Sequence, residues 1–160
     1  MDRVGLGFDS HRFAPGRPLM LAGVHVEHDL GLAGHSDGDA PLHALIDAML
    51  GAAGLEDIGE MFPDTDPAWA NVDSDVMVTE VVGELARMGL LVTNSDMVII
   101  TEAPKLTRHK QAMRERVADL LGADTASVSV KAKTAEGMGP IGTGEGLVAF
   151  AVVMLEDTTA

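Results

Sequence analysis

The chain contains no cysteine. No disulfide can staple the fold, and any bound metal must be held by histidine and carboxylate. No apolar run approaches the roughly 20 residues a membrane helix needs, so no membrane partner is expected. No repeat, low-complexity tract or linker interrupts the 160 residues, which read as one domain, 1–160, long enough for a real core. Basic residues are scarce: 11 Lys and Arg stand against 25 Asp and Glu, a formal charge of −14. That balance argues against nucleic acid or an anionic membrane as partner. Between Pro18 and Leu85 there are fourteen acids and not one Lys or Arg. Met1-Asp2-Arg3 runs straight into a strand-like segment, so no signal peptide is expected and the cytoplasm is the default location.

What is present is 46% apolar, which excludes a disordered chain. Val4–Phe8 reads as a strand, and Leu19–Val24 as a second one set off by Pro15-Gly16-Arg17-Pro18. His25–Leu32 is expected to return as its hairpin partner. Leu42, Leu45, Ile46, Met49, Leu50 and Ala53 follow helical spacing. This helix should start near Asp37–Asp39, because Pro41 is tolerated only in a first turn, and stop at Gly54. Val78, Val81, Val82 and Leu85 predict a second helix from Asp73 or Ser74 to Gly89. Met97–Thr101 is a buried-type strand. Pro104 is expected to open a third helix that ends at Gly122. Val128–Lys133 and Leu147–Leu155 read as strands around a glycine-rich loop, Gly137 to Gly146. The order implies an α/β sandwich with helices on one side of a mixed sheet.

Asp9 and His11 flank one residue at the mouth of the first strand, so their side chains share a face. His43 on the first helix would add a third ligand with no fourth in view, the pattern of a metal site with one position open. Asp39, His43 and Asp47 are spaced four apart, which makes Asp47 the candidate carboxylate behind His43. An incidental histidine on a solvated acidic face is the bland alternative. His35-Ser36 precedes a helix N-terminus, where N–H groups favour an anion; Ser36, Asp37 and Asp39 also serve as ordinary caps. Glu56 to Pro67 is a long, turn-rich loop of a kind that is often functional, its acids able to hold hydroxyls or simply to form Asx turns. Ala103-Pro104-Lys105-Leu106 could meet a base edge and a phosphate. Thr134 beside Glu136 suits a phosphate with a hard divalent cation. Gly142-x-Gly144-x-Gly146 is no dinucleotide fingerprint, because a strand follows it.

Taken in order, the segments Gly7-Phe8-Asp9-Ser10-His11, Gly34-His35-Ser36-Asp37-Gly38-Asp39, His43 to Ala48, Asp57-Ile58-Gly59, Phe62 to Pro67, Ala103-Pro104-Lys105 and Gly144-Glu145-Gly146 resemble the 2-C-methyl-D-erythritol 2,4-cyclodiphosphate synthase family. The resemblance implies a homotrimer with sites between subunits and a ferredoxin-like subunit, a four-stranded mixed sheet plus a small hairpin. The implied reaction turns 4-diphosphocytidyl-2-C-methyl-D-erythritol 2-phosphate into the cyclic diphosphate and CMP, a step of non-mevalonate isoprenoid synthesis. Asp9, His11 and His43 would then be zinc ligands, and Glu136 the protein ligand of a Mg²⁺ or Mn²⁺. His35 and Thr134 would stabilise the transition state. Asp57, Ile58 and Gly59, with Asp64, would meet the erythritol part, and Asp9, His11, His35, Ser36, Phe62 and Asp66 would also line the substrate site. Thr101, Ala103, Pro104, Lys105, Leu106 and Thr107 would wrap the cytosine from a neighbouring subunit, with Lys133 and Ala135 beside Thr134. The chain departs from the family pattern at Lys133 and Ala135 flanking Thr134, at Pro140 and Thr143 in the glycine-rich loop, and at Phe150, where some members carry Glu. From the residues alone, a zinc hydrolase using Asp57 or Asp64 as base remains a rival, as does an oligomeric binding module with a structural metal.

Overall fold

The structure is a computed structural model that describes residues 1–159. Along the chain run β1 (Asp2–Ala14), β2 (Leu19–Leu21), β3 (Val24–Val26), β4 (Gly31–Leu32), α1 (Ala40–Ala53), α2 (Ile58–Met61), α3 (Ser74–Arg87), β5 (Leu90–Ile100), α4 (Lys110–Leu121), β6 (Val128–Lys133), α5 (Gly139–Gly142) and β7 (Gly146–Asp157). Short 3₁₀ turns sit at Pro67–Trp69 and Thr125–Ser127. The main sheet has five strands in the order β4-β1-β7-β5-β6, with only β5 and β6 parallel; β2 and β3 form a separate hairpin. No helix among the described residues is long and apolar enough to cross a membrane.

Three expectations are corrected. The sheet has five strands, because the 25–32 segment divides. Val24–Val26 completes the hairpin, while Gly31 and Leu32 leave it to pair with Ala14 and Phe13. The element order is not the ferredoxin-like βαββαβ. Helix α4 joins the adjacent parallel strands β5 and β6, a link that needs a crossover, and β7 then inserts between β1 and β5. The third helix begins at Lys110 rather than Pro104. Residues 101–109 form a turn instead, with a cis Ala103–Pro104 peptide, a Thr101 hydroxyl donating to the Ala103 carbonyl at 2.6 Å, and the His109 N–H donating to Leu106 O.

Helix α1 is buried on almost every side, its polar stripe reduced to the half-buried His43 and Asp47. It lies directly on β1, whose inward positions are Gly5, Gly7, Asp9 and His11. A Cβ on Gly7 would stand 1.8 Å from the Ala44 carbonyl oxygen, and one on Gly5 2.0 Å from that of Ala48. Glycine on the strand and alanine on the helix therefore allow backbone to meet backbone. That contact carries His43 up to Asp9 and His11, which follow the glycines on the same face.

The outward positions of β1 are the large ones. Val4, Leu6 and Phe8 are 72%, 67% and 50% exposed, and across the ladder they stand opposite Met154, Val152 and Phe150. The two phenylalanine rings meet at 5.0 Å. With α1, α3 and α4 all on the other side, this leaves a continuous apolar strip on the bare face of the sheet.

Candidate metal centre and cleft

Asp9, His11 and His43 converge as their spacing predicts. Asp9 Oδ2 lies 2.7 Å from His11 Nε2 and 3.0 Å from His43 Nδ1, and the two ring nitrogens are 3.3 Å apart. Their other nitrogens settle where the protons are. His11 Nδ1 faces the carbonyl oxygen of Ala33, which can only accept, so Nδ1 carries the hydrogen. His43 Nε2 lies 2.9 Å from Ser74 Oγ, and that hydroxyl donates onward to Asp37 Oδ1. Nε2 must therefore donate as well. In the neutral rings, both inward nitrogens are bare lone pairs aimed at a carboxylate oxygen. Three acceptors without a donor call for a cation. Tetrahedral zinc ligands at about 2.0–2.1 Å stand roughly 3.3 Å apart, and the trio is only slightly more contracted. One carboxylate oxygen and two imidazole nitrogens suit zinc, as they suit other divalent first-row metals, so the residues present fit a zinc ion.

Without a cation the same geometry shifts the pKa values. Burial pushes Asp9 up, but hydrogen bonds and charge from His11 and His43 outweigh it and hold the carboxyl at about 2. Burial pulls His11 down, yet the Asp9 carboxylate and the Ala33 carbonyl raise it above the ordinary histidine value, with Arg17 opposing.

The trio forms one wall of a cleft of about 450 Å³. His35, Ser36, Ile58, Gly59, Phe62 and Asp64 line it, joined by Trp69, Ala70, Asn71 and Met77, which the sequence pattern does not single out. His35 is 82% exposed at the mouth, its Nε2 3.6 Å from Asp64 Oδ2. The loop bearing His35 is clamped from outside by Arg17, whose guanidinium donates to the Gly34 carbonyl at 2.7 Å and to the Ser36 carbonyl. Phe62 is buried edge-on against Trp69, centroids 4.6 Å apart, which stiffens the far wall.

Several expected carboxylates are engaged elsewhere. Asp47 does not stand behind His43; its Oδ1 accepts the Ile58 N–H at 2.8 Å and ties α2 to α1. Helical spacing placed it on the right face, but the competing backbone donor arrives from a loop. Burial raises its pKa above the ordinary value. Asp39 points away from His43 altogether. Fully buried, it accepts from Leu42 N as N-cap and from Ala22 N and Gly23 N, so it fastens the hairpin turn to α1. Burial lifts it to about 6 against the pull of those three N–H groups. Asp57 caps α2 through Gly59 N and Glu60 N, and Asp66 caps the Pro67 turn through Ala68 N.

The remaining expected residues gather at another corner. Thr101 to Thr107 and Lys133 to Glu136 follow the ends of β5 and β6, and none of them lines the cleft. Thr101 N bonds the Lys133 carbonyl, and Glu102 Oε1 accepts from Ala135 N at 2.7 Å, so the two segments form one platform. Glu136 sits at φ 51°, its Oε1 accepting from the Thr134 hydroxyl at 3.1 Å. Lys105, Lys133 and Thr134 are exposed, Leu106 is buried, and Thr107 opens onto a groove with Lys110 and Arg114. Strand β6 is three ladder spacings from β1, roughly 14 Å.

The chain is similar to known proteins along most of its length. The profile of the YgbB family matches residues 2–156. The 2-C-methyl-D-erythritol 2,4-cyclodiphosphate synthase of Thermosynechococcus vestitus is 47% identical over 154 residues, 96% of each chain. A 2C-methyl-D-erythritol-2,4-cyclodiphosphate synthase solved in its CDP-bound form superposes with a TM-score of 0.89 at 38% identity, covering 96% of this chain and all of that one. The bifunctional IspDF of Campylobacter jejuni superposes with a TM-score of 0.94 at 41% identity, over 100% of this chain and 44% of its own. By this likeness along nearly its whole length, the chain belongs to the YgbB family, the 2-C-methyl-D-erythritol 2,4-cyclodiphosphate synthases.

Proposed function

We propose that the chain cyclises 4-diphosphocytidyl-2-C-methyl-D-erythritol 2-phosphate to 2-C-methyl-D-erythritol 2,4-cyclodiphosphate with release of CMP, in the non-mevalonate route and in the cytoplasm. The observation that carries the reading is the trio of proton-free acceptors opening onto the cleft. In the reaction, an oxygen of the substrate's 2-phosphate forms a bond to the β-phosphorus. The bond from that phosphorus to the oxygen bridging it to the α-phosphorus breaks, and CMP leaves with the electron pair. A phosphate oxygen is already anionic, so no general base is needed and positioning with charge neutralisation suffices. Zinc held by Asp9, His11 and His43, with Mg²⁺ or Mn²⁺ at Glu136, would supply positive charge to the phosphates of a substrate bound by a chain of −14. His35 and Thr134 would donate hydrogen bonds to the phosphoryl group in flight. Ile58, Gly59 and Asp64 would hold the erythritol hydroxyls, and the 101–107 turn the cytosine.

The same reading includes a trimer. Residues 101–107 and 133–136 lie across the sheet from the cleft of their own chain, and an exposed apolar strip runs along the bare sheet face. A patch of that kind is unusual on a monomer. Packing it against second and third copies would bury it and bring one chain's platform to another's cleft. Incubation with the cytidine substrate and Mg²⁺, followed by ³¹P NMR, tests the reaction. A cyclic diphosphate with equimolar CMP is expected; CMP with acyclic phosphates would instead favour a hydrolase using Asp64.

A further inference from the structure

Behind His43 lies a hydrogen-bonded chain that reaches no part of the cleft. Helix α3 starts at Ser74, which is fully buried. Asp73, at the N-cap position, makes no side-chain cap bond. The cap comes from another segment: Asp37, in the loop before α1, accepts the Ser74 N–H at 3.2 Å through Oδ2 and the Ser74 hydroxyl through Oδ1. With its proton committed to Asp37, Ser74 Oγ offers only lone pairs to His43 Nε2, 2.9 Å away. Ser36 Oγ also approaches Nε2, at 3.1 Å, but no carboxylate stands behind it, and it accepts the Gly38 N–H at 3.3 Å.

We propose that Asp37 and Ser74 are the positioning pair for the metal ligand His43, a carboxylate–hydroxyl–imidazole relay that fixes the ring's tautomer and strengthens Nδ1 as a donor to the ion. A metal-bound imidazole commonly gives its second N–H to a carboxylate directly, and losing that partner lowers metal affinity by 10–100-fold. Here the carboxylate acts through a serine, and the same contacts dock α3 against α1. The relay takes the role that helical spacing assigned to Asp47. It rests on zinc binding by the trio.

The test uses the full chain, stripped of metal by chelation, then titrated with Zn²⁺ against a chromophoric chelator and with Co²⁺ by visible absorption. Ser74→Ala and Asp37→Asn should each weaken Zn²⁺ binding by about 10–100-fold and alter the Co²⁺ ligand-field bands. The double variant should be no weaker than Ser74→Ala alone, because both changes cut one chain. Should Ser74→Ala fail to fold, Asp37→Asn carries the test by itself, its amide oxygen remaining for the Ser74 N–H. Zinc affinity within about two-fold of wild type in the variants, with only thermal stability lowered, would overturn the relay, as would losses that multiply in the double variant. A wild-type chain that binds no zinc would overturn the zinc reading and the relay with it.

Discussion

At the Asp9–His11–His43 corner one chain supplies every orienting contact: the Ala33 carbonyl for His11, Ser74 and Asp37 for His43, and glycines on β1 that let α1 come close. At the ends of β5 and β6 the backbone is just as well fastened, through Thr101, Glu102 and Lys133, yet the charged and hydroxyl side chains of Lys105, Thr107, Lys133, Thr134 and Glu136 are exposed. The first corner is complete within the chain except for a cation. The second is a platform whose residues do not line the cleft of their own chain. Charge follows the same division: fourteen acids and no Lys or Arg fall between Pro18 and Leu85, whereas five of the eleven basic residues fall between Lys105 and Arg116. A polyanionic ligand must be met at one corner by metal and backbone and at the other by cations.

The largest effect should come from the complete corner. His43→Ala or Asp9→Asn should abolish tight zinc binding and lower turnover by about 10³-fold or more, several kcal/mol of lost charge stabilisation. Metal analysis together with kinetics checks this, and full zinc in His43→Ala would break the assignment.

Next is the platform. Glu136→Gln should keep zinc and assembly while activity falls by about 10²-fold, because an amide is a poorer ligand for a hard cation. Added Mg²⁺ or Mn²⁺ should restore part of it, and added zinc none. Near-normal activity at low Mg²⁺ would make Glu136 a loop-capping carboxylate and nothing more.

A smaller effect is expected at Arg17, whose guanidinium donates to the Gly34 and Ser36 carbonyls at the back of the His35 loop. Arg17→Gln should reduce kcat by about 10-fold with zinc retained, since the donor role proposed for His35 depends on the placement of its loop. Arg17→Lys should not rescue it, because a point charge cannot span two carbonyls as the guanidinium fork does. Rescue by lysine would show that charge, not loop geometry, is what matters there.

The smallest effect concerns pH in the metal-free protein. Asp9 is held near 2 against an ordinary 3.8, so its contribution is present above 3.8 and is lost as pH falls through about 2. His11 is raised above 6.5, so its contribution is present below 6.5 and is lost as pH rises through its raised value. The contribution of this pair to metal-free stability should therefore be largest between 3.8 and 6.5, with at most about 2 kcal/mol from Asp9, while the buried Asp39, lifted to about 6, takes stability away as pH rises from 3.8. Zinc should reverse the upper limb, because protons compete with it for His11 and affinity rises with pH. Thermal unfolding with and without zinc across this range separates the two.

The sequence disclosed the candidate trio because each member sits on an element whose period is visible: two residues apart on a strand, and on the one polar stripe of an otherwise apolar helix. Where spacing ran out, so did the reading. Asp47 shares the face of His43, but nothing in the order of residues shows that Ile58 N–H will reach it first. Ser74, Trp69, Asn71 and Met77 come to the site by tertiary packing alone. Pro104 was expected to open a helix from its usual first-turn preference, and the hydrogen bonds of the 101–109 turn delay that helix to Lys110. Gly5 and Gly7, alternating with Val4, Leu6 and Phe8, marked a strand without telling which face was buried; the small side is the inner one, because α1 approaches it closely.

Mixing two inactive variants tests most directly whether one chain's cleft works with another chain's platform. His43→Ala and Glu136→Gln each retain one intact corner. Co-refolded in equal amounts as a closed three-membered ring, each site draws its two corners from different subunits, so about a quarter of sites should be intact and about a quarter of wild-type activity should return. No activity above that of the separate variants, in mixed assemblies verified by mass, would contradict a site shared between copies.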